Sequence, residues 1–172
     1  AVAIVQQEAF LFTASIDHNV AYGAPYAMRP DIERSTQTAQ LHSYVSGLPA
    51  SYQTLVGERG VSLSGGQRQR LAIARAILPA ARVLVFDDST AAIDAATERR
   101  IRDALAHFTA DRAVIVIAHR LSSLIDADEI LFLEDGRVVE RGDHNSLMAL
   151  GGRYRKLHDL QAGGGQVADV TS

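Results

Sequence analysis

At 172 residues the chain has room for one domain with a sizeable core, and its 47% hydrophobic residues are those of a globular protein. Its longest apolar runs, such as AVIVIA at 113–118, fall far short of the roughly 18 residues of a membrane-spanning helix, and no charged-then-apolar leader opens it. The absence of cysteine excludes disulfides, thiolate chemistry and cysteine-ligated metals, and a net charge of −3 gives no electrostatic case for nucleic acid.

Ala1–Val5 reads as a strand already in progress, so a preceding portion is expected, and AVAIVQQEAFLF runs from that strand into a loop. APYAMRPD, 24–31, is a proline-rich connector, and Asp31 can cap a helix continuing through about Ser46. GLPASYQTLVGERG, 47–60, is loop-like. From Ser64 the pattern turns helical, with Leu71, Ala74, Ile77 and Leu78 on one face and Pro79 ending it. RVLVFDD, 82–88, is a short apolar run closed by two carboxylates, the pattern of a buried parallel strand with a site at its C-terminal end. TERRIRDALAHF, 97–108, is an amphipathic helix with Ile101, Leu105 and Phe108 inward. RAVIVIAHR, 112–120, is a second buried strand, ending in His119. EILFLEDGRVVERG is a hairpin turning at Asp135-Gly136. DHNSLMAL and GGRYRKLHDL are short closing helices, and AGGGQVADVTS is a flexible tail. Strand–helix–strand alternation implies a parallel sheet with helices on its faces. The expected organisation is a strand end and loop over 1–24, a helical subdomain over 25–80, an α/β core over 81–161 and a tail over 162–172.

Three features carry chemistry. Leu63-Ser64-Gly65-Gly66-Gln67 opens a helix, where unpaired N–H groups attract an anion and glycines let phosphate oxygens approach. The plain alternative is a Ser-capped helix. Asp87-Asp88 at the mouth of VLVF can hold Mg²⁺, largely through water, and orient or deprotonate a water; the alternative is helix capping by Asp88, Ser89 and Thr90. His119 ends its strand as Asp87 ends the other, so adjacent parallel strands would bring both to one sheet edge; the alternative is a histidine satisfied by nearby backbone. A puzzle remains. The only lysine, Lys156, follows no glycine loop, so the chain lacks the usual phosphate-gripping residue.

Taken together and in this order, the segments resemble a known family. LSGGQRQRLAIARAIL resembles the signature helix of ATP-binding-cassette (ABC) ATPases. VLVFDDSTAAID resembles their Walker B strand and D-loop, VIVIAHRLSSL their switch-histidine strand, and VQQEAFLFTASIDHNVAYG their Q-loop segment, with the family glutamine at Gln7. The match runs from about residue 1 to 160. TLVGERG, 54–60, and the closing hairpin and helices look exporter-like. The resemblance implies a P-loop NTPase-type α/β core, its C-terminal part, with an inserted helical subdomain. It implies ATP and Mg²⁺ as cofactors, a second cassette and transmembrane domains as partners, no nucleic acid, and a place at the cytoplasmic face of the inner membrane.

By the same resemblance Asp87 would bind Mg²⁺, Asp88 would act on the attacking water, and Gln7 would sense both and link them to the transmembrane domains. His119 would contact the γ-phosphate and Asp94 would communicate across the dimer. Ser64, Gly65, Gly66 and Gln67 would complete the site of the partner cassette, which answers the puzzle: their phosphate is gripped by another polypeptide. The family's G-x-x-x-x-G-K-[ST] loop lies upstream of the Q-loop and is not in this sequence, so these residues alone are expected to be inactive. The family usually has glutamate where this chain has Asp88. The shorter side chain would leave its oxygens about 1 Å from the productive place, a displacement that can cost about 100-fold in rate. A slow site in a heterodimer is therefore one expectation. A non-catalytic docking module and a soluble ATPase without membrane partner are the others.

Overall fold

The computed structural model describes residues 1–57, 61–88, 92–108 and 111–163, leaving aside the side chains of His107 and Phe108. The chain forms two compact units, Ala1–Ile117 and Ala118–Ser172.

In the first unit, β1 (Val2–Val5), β4 (Val83–Asp87) and β5 (Ala113–Ile117) form a parallel sheet in the order β1-β4-β5. Val5 lies opposite Phe86, and Asp87 opposite Ile117. β1 and β4 are hydrogen-bonded neighbours, yet between them the chain makes β2 (Ala14–Ser15), α1 (Ile16–Ala21), α2 (Arg29–Thr38), α3 (His42–Ser46), β3 (Leu55–Val56) and α4 (Gly65–Ile77). The parallel α/β core with an inserted helical region is thus present as the sequence predicts, and α5 (Ala95–Phe108) connects β4 to β5.

α4 is the hub. Leu71, Ala74 and Ile77 of its predicted face are fully buried, and Ile73 is too, because α1, α2 and β1 pack on different sides of it. It shares one core with Val5, Leu84 and Phe86 of the sheet and Ile16, Val20, Leu41 and Val45 of the other helices. Burying a Leu or Ile side chain contributes roughly 1.5–3 kcal/mol, so this stripe is the main anchor of the unit.

Three expectations need correction. The helix expected from Asp31 to about Ser46 is two helices. It begins at Arg29 with Pro30 in its first turn, Asp31 follows as a first-turn acid rather than the cap, and the break falls where Gln40 takes φ +56°. The 47–60 stretch is not all loop: Leu55–Val56 pairs antiparallel with Ala14–Ser15. Gly57 follows at φ +107°, where a Cβ would meet the Thr13 hydroxyl at 2.9 Å, so only glycine fits. The AVIVIA strand is not buried. Ile115 and Ile117 are about half exposed (51% and 50%), because β5 is an outer strand of the three and no element of its unit covers it. The inward placement expected for Phe108, residues Glu58–Gly60 of the exporter-like loop, and the tail from residue 164 lie outside the described residues.

In the second unit β6 (Ile130–Glu134) and β7 (Arg137–Gly142) form the predicted hairpin. Asp135 and Gly136 take φ +49° and +72°, the left-handed pair that a two-residue turn requires. α6 (His144–Leu150) and α7 (Arg153–Ala162) close it over Leu121, Ile130, Leu147 and Tyr154. Asp143 caps α6 through the Ser146 N–H (2.8 Å), and both oxygens of Glu140 accept N–H bonds from the start of α7.

Candidate functional site

The helix start at Ser64 is built by its own sequence. Ser64 Oγ accepts from the Gln67 N–H (3.3 Å), and Gln67 Oε1 accepts from the Ser64 N–H (2.8 Å), a reciprocal capping box. Two donors are thereby satisfied by the chain itself. Gly65 and Gly66, the first two helical residues, have no intrahelical acceptor for their N–H groups. Ser64 is exposed, so this end of α4 is reachable from outside.

Ser64, Gly65 and Gly66 line an open hollow of about 410 Å³ together with Arg70, Ala92, Ile93 and Asp94. The segment at Ala92 lies directly on the helix: a Cβ on Gly66 would come within 2.9 Å of the Ala92 carbonyl oxygen. Asp94 caps α5, accepting from the Thr97 N–H at 2.9 Å. That bond, followed by one from the Thr97 hydroxyl, holds its carboxyl below the usual carboxylate range. Arg70 sits one turn beyond Gly66 and donates to the carbonyls of Gly66 (3.2 Å) and Gln40 (2.7 Å). Burial pulls its guanidinium below the ordinary arginine value, with the Asp94 carboxylate acting against that. The hollow therefore combines glycine N–H groups, a helix N-terminus and a cation, a donor set that suits phosphate oxygens.

A second group lies where parallel strands end. Gln7 is two residues past Val5, and Asp87 is the last residue of β4, so Gln7, Asp87 and Asp88 gather at the C-terminal edge of the sheet. Asp88 takes φ +40°, a region aspartate enters more readily than most residues, and its N–H donates to the Ile117 carbonyl at 2.8 Å. No hydrogen bond among the described residues reaches either carboxylate. Two free hard-oxygen ligands suit Mg²⁺, which keeps most of its waters; no cluster of three or more metal-ligating side chains is present among the described residues. His119 belongs to the second unit, where its carbonyl accepts from Gln161 Nε2 at 2.7 Å.

Sequence reading missed three polar residues on α4. Gln69, buried, reaches the Gln7 carbonyl and the Ala92 N–H. Arg70 lines the hollow. Arg75 donates to the carbonyls of Phe10 and Asn19 and to Asn19 Oδ1, all at 2.8–2.9 Å. The signal was there in part: Gln69 falls on the same face as Ile73 and Ala76, a polar residue in an apolar stripe.

A family model described as "ABC transporter" matches residues 1–91. An ATP-dependent lipid A-core flippase of Photobacterium profundum is 47% identical over 163 residues, 94% of this chain and 28% of that protein. The human ATP-binding cassette sub-family B member 6 is 42% identical over 99% of this chain and 20% of its own length. A solved structure of a bacterial Atm1-family ABC exporter with ATP bound superposes with a TM-score of 0.89 at 38% identity, covering all of this chain and 29% of that one. The chain thus spans between a fifth and three tenths of the length of these relatives.

Proposed function

This chain belongs to the ABC transporter family, as a part of an exporter-type ATP-binding domain, and from that premise we propose that it couples ATP hydrolysis at a dimer of cassettes to transport across a membrane. The observation that carries this is the open N-terminus of α4: phosphate-ready, outward-facing, and in a chain with no lysine loop of its own to hold the phosphate.

In this reading Ser64, Gly65 and Gly66 donate to the γ-phosphate of an ATP gripped by the second cassette. Gln67 acts by keeping Ser64 in its capped rotamer, as its carboxamide is engaged with the Ser64 N–H. Asp87, with waters, would hold Mg²⁺, which when bound supplies positive charge at the phosphates. Asp88 orients the attacking water and accepts its proton, and Gln7 reports on that water from the neighbouring strand. His119 is assigned to the γ-phosphate and Asp94 to communication between cassettes by resemblance. Transmembrane domains, of the same or a partner chain, complete the transporter and place it at the cytoplasmic face of the inner membrane. By themselves the 172 residues turn over negligible ATP, and robust turnover by them would contradict the reading.

Gly65→Asp is the test. An acid in the first turn favours the helix, and a Cβ at Gly65 meets only the Ala92 Cβ at 3.4 Å, so the fold tolerates it. It places a carboxylate where the phosphate would bind. In the intact protein turnover should fall about 100-fold while ATP binding to isolated cassettes stays within about twofold. Unchanged turnover would refute the site. Asp88 favours one refinement, a slow site in this chain's own cassette, as in one half of a heterodimeric exporter.

A further inference from the structure

Gln69 lies on the second turn of α4, on the core-facing stripe with Ile73 and Ala76, and is only 6% exposed. A polar side chain there would be costly unless both ends of its amide were paired. Both are, and neither by its own helix. Nε2 donates to the Gln7 carbonyl at 3.2 Å, 62 residues away in sequence, and Oε1 accepts from the Ala92 N–H at 3.0 Å, 23 residues away. These backbone groups belong to the loops that carry Gln7 and Asp94. The Ala92 segment is pinned a second time by its close approach to Gly66.

We propose that Gln69 is a positioning residue that ties the loop after β1 and the loop before α5 to the phosphate-facing helix. Gln7, Asp94 and the Ser64–Gly66 turn then shift together when a nucleotide draws on any one of them. A carboxamide is suited to this, being donor and acceptor at once at fixed separation. The proposal rests on the ATPase reading of the site, because it gives Gln69 its effect through residues placed there.

The test uses the intact protein with Gln69→Leu, close in volume and without either bond, and Gln69→Glu, which keeps the acceptor for Ala92 but faces the Gln7 carbonyl with a second acceptor. Amide hydrogen exchange is read at the peptides carrying Ala92 and residues 6–9, alongside kcat and KM for ATP. In Gln69→Leu, exchange at Ala92 should quicken about 10-fold and kcat fall about 10-fold or more, with KM within about twofold. Gln69→Glu should preserve protection at Ala92 and lose it at 6–9. In a Gln7→Ala background Gln69→Leu should cost little further, since one pathway is already cut. Unchanged kcat, a fully additive double variant, or a loss matching the fraction unfolded would overturn the proposal. Exchange needs no turnover, so a parent protein that hydrolyses no ATP would defeat the functional reading while the Ala92 result still decided whether the clamp exists.

Discussion

Single residues decide how fast this site can run. Asp88 is one methylene shorter than the family's glutamate, and its φ of +40° is better tolerated by aspartate. Restoring glutamate should lengthen the reach to the water. We expect Asp88→Glu in the intact protein to raise single-site turnover about 10-fold or more, measured under single-turnover conditions; no acceleration would show that carboxylate reach is not limiting. Other carboxylates serve structure. The Ser146 N–H holds the Asp143 carboxyl below the usual carboxylate range. A carboxyl depressed on folding adds stability above its unfolded pKa of about 3.9 and loses it as pH falls through its folded value. Asp143→Asn, which keeps the cap's shape without the charge, should therefore be less stable than its parent at pH 7, with the gap closing below about pH 4. Thermal melts across that range check it, and a gap independent of pH would contradict it.

At the scale of elements, α4 does two jobs with two faces. Its start was legible because Ser64, the glycines and Gln67 form a local pattern whose geometry needs no distant partner. Its apolar face was legible from periodicity. Its clamps were not, because Gln69, Arg70 and Arg75 bond to carbonyls and an amide 23 to 65 residues away, and a backbone group carries no sequence label. The same reason hid the Leu55–Val56 pairing with Ala14–Ser15. Arg75 matters most to stability: it forks into Phe10 and Asn19 with no acid as partner, and burial pulls its guanidinium down from the ordinary value. Lysine cannot reproduce a fork of three bonds. Arg75→Lys should cost about 2 kcal/mol, read from denaturant midpoints; a loss within about 0.5 kcal/mol would mean the clamp is idle.

For the molecule as a whole, the sheet order β1-β4-β5 was legible in kind, since apolar runs ending in carboxylates and alternating with helices allow little else. The exposure of β5 was not, because a run such as AVIVI reads as buried whether or not its cover is in the sequence at hand. The account's central claim is that the α4 terminus serves a nucleotide held by another cassette. Assemblies of two differently tagged copies of the intact protein test it, one class carrying Gly65→Asp in one copy and Asp87→Asn in the other, a second carrying both changes in one copy beside an unchanged partner. If the two halves of each site come from different copies, the first class keeps one complete site and hydrolyses ATP at least about 10-fold faster than the second. The reverse order, with activity surviving when both changes share one copy, would mean that each chain serves its own nucleotide and would contradict the account.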